Sequence, residues 1–158
     1  MRSEQQAREL WQLGTAQLVQ GDVQGAIRLF EQSLAVHPTA EGYTFRGWAV
    51  SFLGRLEQAI ADCRRAIEID PEFGNPYNDI GCYLMQQGEF EAAIGWLEKA
   101  KRAKRYEPRH FPYLNLGHIY ARIGEPMKAL EEYLQALELN PGDEVATTAI
   151  EALDLPTH

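Results

Sequence analysis

Cysteine is scarce in this chain. Cys63 and Cys82 are too few for a disulfide-stapled scaffold and lack the spacing of a zinc site. Long apolar runs are missing as well: the opening MRSEQQAREL has no signal-peptide core, and no segment approaches membrane-spanning length. A cytoplasmic address and no membrane partner are therefore expected. Positive charge is in deficit, with 15 Lys and Arg against 23 Asp and Glu and a net charge of -8. That balance argues against a nucleic-acid binder, which needs widespread positive charge. Catalytic signatures are absent too: no GxxxxGK phosphate loop, no GxSxG elbow, no HExxH zinc helix. His37, His110, His118 and His158 are scattered along the chain. No catalytic residue, metal or cofactor is expected, and the chain does not read as an enzyme.

What is present is a repeat. At 158 residues the chain is one domain with material for its own core. Glycine pairs seven residues apart fall into register: Gly14 and Gly21, Gly47 and Gly54, Gly81 and Gly88, Gly117 and Gly124. Twelve residues after each first glycine stands an alanine (Ala26, Ala59, Ala93, Ala129), and Pro38, Pro71, Pro108 and Pro141 close the units. The first glycines are 33, 34 and 36 residues apart, a solenoid period. Large residues at -4, -1 and +3 from each first glycine, such as Tyr77, Ile80 and Leu84, mark one face of a helix centred on it. Mid-helix glycine costs about 1 kcal/mol against alanine, so four in register imply a close helix contact. The second glycine ends that helix, and a second amphipathic helix follows, stopped near its proline. Asp22 is placed to cap one second helix and Pro126 to open another.

The first half of each unit reads Leu10-x2-Leu13-Gly14-x2-Gln17, Tyr43-x2-Arg46-Gly47-x2-Val50, Tyr77-x2-Ile80-Gly81-x2-Leu84 and Tyr113-x2-Leu116-Gly117-x2-Tyr120. The second reads Ala26-x3-Phe30, Ala59-x3-Cys63, Ala93-x3-Leu97 and Ala129-x3-Tyr133. This pattern resembles the tetratricopeptide repeat. Gln17 and Arg46 depart from it, where apolar residues are the rule. The resemblance implies an all-α, right-handed superhelical solenoid of four antiparallel helix pairs. The expected division is an N-terminal tail at 1–6, repeats at 7–39, 40–73, 74–109 and 110–142, a capping helix at 143–154 and a tail at 155–158. Val145, Ala149, Ile150 and Leu153 would form the buried face of the cap.

The resemblance also implies that first helices line a concave side, and that the function is protein interaction. The helix period sends positions -6, -3, +1, +4 and +5 from the first glycine toward that side. Trp11, Thr44, Trp48, Phe52, Asn78, Cys82, Met85, Phe111, Leu114, His118 and Arg122 lie there, and Asn115 is adjacent. Several are more apolar than a solvated face requires, which marks a binding site or packing between neighbouring first helices. Asn78 and Asn115 are candidates to hydrogen-bond an extended peptide. Asn75 reads as a helix cap before Pro76. Some family members clamp the acidic tails of chaperones with basic side chains. Here only Arg8 and Arg122, at opposite ends, supply cations on that face, so such a clamp is not expected. Cys63 reads as a small core residue, and Cys82 as a groove thiol with a redox role as a minor alternative. Self-association, end to end or through Trp96, is the rival to partner binding.

Residues 99 to 110 hold six basic residues and one acid, net +5, so the remainder carries -13. In the second and fourth repeats alanine (Ala66, Ala136) precedes the closing proline by five residues, and Ser33 does so in the first; Ala100 precedes Pro108 by eight. The spacing predicts a second helix lengthened by most of a turn, with Phe111 outside the next helix because it precedes Pro112. Lys101, Arg102, Lys104 and Arg105 are then either a solvated basic helix end or an edge that captures an acidic segment of a protein partner.

Overall fold

The computed structural model describes residues 1–157. Its helices are α1 (Arg2–Val19), α2 (Val23–Val36), α3 (Ala40–Ser51), α4 (Leu56–Ile69), α5 (Asn75–Gln86), α6 (Phe90–Arg102), α7 (Phe111–Arg122), α8 (Pro126–Leu139) and α9 (Glu144–Glu151). Among the described residues the only β-type pairing outside them is an isolated bridge between Phe73 and Arg105. Each helix packs on the next, giving four antiparallel pairs and a terminal helix. Odd-numbered helices also touch one another in series, α1 to α3 to α5 to α7 to α9, whereas among the described residues even-numbered ones do not. A stack whose odd helices meet and whose even helices splay apart is curved, with α1, α3, α5 and α7 inside.

The in-register glycines lie where paired helices meet. A Cβ on Gly14 would fall 2.6 Å from the Phe30 ring, one on Gly81 2.5 Å from Leu97 Cγ, and one on Gly117 2.4 Å from the Tyr133 ring. The partner is in each case the large residue four positions beyond the in-register alanine. In the second pair that residue is Cys63, fully buried in the core with Val50, Ile80 and Tyr83. The second glycines turn the chain: Gly88 and Gly124 have φ of +80° and +82°, with open space where a Cβ would be. Asp22 caps α2, its Oδ1 accepting from the Gly25 amide at 2.9 Å, and α8 opens on Pro126.

The two departures from the repeat pattern have separate causes. Arg46 reaches across its own helix pair and forms two bonds to Asp62, Nε to Oδ2 at 2.9 Å and Nη2 to Oδ1 at 2.7 Å. Asp62 is buried, and the paired charges compensate one another. Gln17 is in the first repeat, where α1 packs only on α2 and α3 among the described residues, and Leu13 on the same side is 57% exposed.

Several expectations need correction. The residues read as a tail, 1–6, mostly belong to α1, which starts at Arg2. Gly74, not Asn75, holds the cap position of α5, and Phe111 is the first residue of α7. In both helices the following proline, Pro76 or Pro112, is fully buried, and that packing overrides the local bias against helix. On the terminal helix Val145 is 55% exposed, while Ala146 takes the buried place beside Ala149, Ile150 and Leu153. α9 does cover the last pair, closing over Leu114, Ala129, Tyr133 and Ala136. Of the tail at 155–158, His158 lies outside the described residues.

The largest correction concerns the basic stretch. α6 has 13 residues, one fewer than α2, α4 and α8, so the added residues do not lengthen it. The chain leaves the helix at Ala103, passes through a cis Glu107–Pro108 bond and folds back over the preceding repeat. The Arg105 amide donates to the Glu72 carbonyl at 3.0 Å, and the Gly74 amide to the Arg105 carbonyl at 2.9 Å. Tyr106 is buried against Gly74, where a Cβ would come within 2.6 Å of it. Arg109 satisfies the freed carbonyls at the end of α6, donating to those of Ala103 at 2.8 Å and Lys104 at 3.0 Å.

Candidate partner-binding groove

Position -3, read as groove-facing, is instead the seam between neighbouring first helices. Thr44 is fully buried, Asn78 and Leu114 nearly so, and Trp11 packs on Phe45 with ring centroids 5.2 Å apart. The row at -3 in one repeat meets the row at -2 in the next. Accordingly Asn115 Nδ2 donates to Asn78 Oδ1 at 3.0 Å, and lies 3.1 Å from Cys82 Sγ. The two asparagines join α5 to α7 and are spent on each other rather than held out for a peptide. Helices are 3.6 residues per turn, so -3 and +1 are about 40° apart, and close first-helix packing covers the former.

Positions +1 and +5 form the open inner face. Trp48 is 36% exposed and Phe52 59%, their rings 5.8 Å apart at a tilt. Val19, at +5 in the first repeat, is 79% exposed, and Phe111, at -6 in the fourth, is 42% exposed. Cys82, at +1, is partly buried; burial, then the charge of Asp79, pushes its thiol up to about 12. That shift disfavours the thiolate at neutral pH.

Towards the C-terminal end the inner face deepens into a cup of about 710 Å³. Met85 and Gln86 come from α5, Phe90 from α6, His118, Ala121 and Arg122 from α7, Tyr133 from α8, and Ala149, Ala152 and Leu153 from the cap and the turn after it. His118 Nδ1 is 2.8 Å from the Tyr133 hydroxyl, and burial lowers the imidazole pKa, keeping the ring neutral. The Arg122 guanidinium rests 5.6 Å from the centre of the Phe90 ring. Met85, His118 and Arg122 thus line one cup. The walls from α6, α8 and the cap had no sequence signal beyond the +1 and +5 positions of the fourth repeat.

The basic edge is engaged within the chain. Lys101 Nζ sits between Glu98 at 3.2 Å and Glu132 at 3.0 Å, over the Tyr113 ring. Arg105 pairs with Asp70 and approaches Glu41 at 3.9 Å, stacking 4.4 Å from the Phe73 ring centre. Its hydrogen bond holds the Asp70 carboxyl below the usual range. Lys104 is 3.8 Å from Glu72, and Arg102 projects from the last turn of α6. Trp96 is likewise occupied, lying between Arg64, 5.0 Å from its ring centre, and Lys99 at 4.4 Å, beside Tyr77.

Sequence profiles described as tetratricopeptide repeat match residues 12–72, 77–105 and 112–143. The chain belongs to the tetratricopeptide repeat family. The gap between the second and third matches, 106–111, falls in the fold-back after α6, an insertion into the standard repeat. An uncharacterized protein, ycf37, of Guillardia theta is 31% identical over 153 residues, covering 92% of this chain and 80% of that protein. The type IV pilus assembly protein PilF of Pseudomonas aeruginosa is 28% identical over 95% of this chain, which spans 60% of that relative. Its solved structure superposes with a TM-score of 0.88 over 95% of this chain and 68% of that chain, at 21% identity. A tetratricopeptide repeat protein of Thermus thermophilus, 25% identical, gives 0.78 over 91% of this chain and 79% of its own. Among the described residues no helix is long and apolar enough to cross a membrane, and no group of three or more His, Cys, Asp or Glu is placed to hold a metal ion.

Proposed function

We propose that this tetratricopeptide repeat protein is an interaction scaffold that seats a peptide segment or partner domain on the inner face, anchored at Trp48 and Phe52. The observation carrying this reading is that ring pair. Trp48 on α3 and Phe52 at its C-cap stand exposed on the concave side, in contact with each other and open to a ligand. Large aromatic side chains in such a setting act as binding anchors. Truncating one removes contact area the fold does not depend on, so Trp48→Ala should lose about 2 kcal/mol or more of affinity. Pull-down with the intact chain identifies the partner, and calorimetry on Trp48→Ala, with circular dichroism as the control, tests the anchor. Loss of helicity alongside affinity would make Trp48 a fold residue and remove the anchor. A cytoplasmic address belongs to the same proposal, supported by two free thiols, Cys63 in the core and Cys82 in the groove.

A specific observation also favours self-association: the uncovered N-terminal end, where Leu13 is exposed. Light scattering over a concentration series separates the readings. A monomer that still captures its partner favours the scaffold; growth with concentration, abolished by Leu13→Lys, favours assembly.

A further inference from the structure

We infer that the open cup between α5, α7 and the terminal helix is a second recognition site, for a peptide bearing a bulky apolar residue next to a carboxylate. The inference rests on the scaffold reading and adds to it the chemistry of the partner. Three features of the cup carry it.

The first is size. About 710 Å³ lies within the range of sites that enclose small ligands, and is more than one large side chain needs. The second is lining. Met85, Phe90, Ala121, Ala149 and Leu153 supply apolar walls, so the favourable occupant is apolar. The third is charge. In a chain of net charge -8, no carboxylate among the described residues lines the cup, and its single ionised side chain is Arg122. Arg122 makes no ion pair among the described residues and is held over the Phe90 ring, with its donors left for a ligand. This sets it apart from Lys101 and Arg105, whose charges are met by acids of the same chain. The acidic contact sought at the basic edge therefore moves to Arg122.

The neutral His118 ring completes the site. With Nδ1 engaged by the Tyr133 hydroxyl, Nε2 is the ring nitrogen left to meet a peptide carbonyl or amide. Gln86, His118 and Arg122, at the +5 and +1 positions that form the inner face, also line the cup, so the cup is continuous with the groove. That continuity is the reason to commit to a peptide rather than a free small acid. Arg and carboxylate pair through two parallel bonds, so position as well as charge is selected.

The test uses the full chain labelled with 15N and three probes: the tetrapeptide acetyl-Leu-Phe-Glu-Leu-amide, its Gln counterpart, and decanoate. The expected result is shifts at the amides of Ala121, Arg122, Ala149 and Ala152, with the Glu peptide binding several-fold more tightly than the Gln peptide. Arg122→Gln, at an exposed site, should abolish that preference while leaving the apolar contribution. Ala121→Trp, also exposed, should fill the cup and weaken the Glu peptide by about thirtyfold, the loss typical of a removed hot spot. Equal affinity for the Glu and Gln peptides overturns the proposal, as does decanoate binding in the cup where neither peptide does. Peptide shifts confined to Trp48 and Phe52 overturn the cup and leave the scaffold reading intact. Shifts at the cup with none at Trp48 and Phe52 support the cup and count against the anchor.

Discussion

Asp79 stands at -2 from Gly81, in the row where the second and fourth repeats place Phe45 and Asn115. Its neighbours across the seams are matched pairs, Trp11 on Phe45 and Asn78 on Asn115. The same register makes Thr44 and Asp79 the middle rung, and the Thr44 hydroxyl has no hydrogen-bond partner among the described residues. Burial raises the Asp79 carboxyl to about 7, against the opposing bond from Asn78 Nδ2 at 3.5 Å. Because its folded pKa lies above the unfolded one, stability is fullest below about pH 4, where both states are protonated. Between about pH 4 and 7 the unfolded chain ionises first, so stability falls as pH rises. Asp79→Asn removes the proton from this balance. It should raise the melting temperature at pH 7.5 and flatten its slope between pH 4.5 and 7. Thermal denaturation across that range checks it; an unchanged slope would assign the pH dependence to other groups.

Helices and turns were largely legible from the chain, because glycine and alanine spacing records how closely two helices approach. Gly81 and Leu97 can be paired from spacing alone, since only a missing Cβ lets one lie on the other. The fold-back after α6 was not legible in the same way. Three extra residues can lengthen a helix or leave it, and the choice rests on partners distant in sequence: Gly74 for Tyr106, Asp70 and Glu72 for Arg105. Groove residues divided for a related reason. Helical period puts -3 and +1 on one side, but whether -3 is covered depends on the spacing of neighbouring first helices, which period alone does not encode. Asn78, Thr44 and Leu114 were lost to the seam, while Trp48, Phe52 and Arg122 remained open. The fold-back also answers why an acidic protein gathers cations at one place. Lys104 and Arg105 face the acids that close the second repeat, so the segment ties two repeats together. Arg105 is half-exposed, and such a pair contributes under about 1 kcal/mol once screened. Arg105→Ala should accordingly leave the melting temperature nearly unchanged. Hydrogen exchange at the Gly74 and Arg105 amides should quicken in low salt, and 1 M salt should quicken it in the parent to a similar degree. Protection that ignores both changes would mean that Tyr106 alone holds the segment down.

Each helix pair touches only its neighbours, so the molecule's stability is a chain of local terms rather than one shared core. The two ends of that chain are treated differently. At the start, α1 presents Gln5, Gln6, Glu9, Gln12 and Gln17 around Leu13, a largely polar end that tolerates water. At the finish, the inner apolar side of the fourth repeat is covered by the terminal helix through Ala146, Ala149 and Ile150. That helix therefore serves two purposes, sealing Leu114 and Tyr133 and walling the cup. Its eight residues are too few to be helical alone, so it persists only while docked. Ile150→Asp, which buries a charge against Tyr133 and its neighbours, should release it. Hydrogen exchange should then accelerate through α7, α8 and α9, fade through α5 and α6, and leave α1 to α4 as in the parent. The same variant should lose peptide contact at the cup yet keep the Trp48 and Phe52 anchor, because among the described residues no contact joins α9 to α3. Uniform acceleration in all helices would mean that the repeats unfold as one unit. The gradient, by contrast, would show that recognition at the two ends of the groove can be weakened separately.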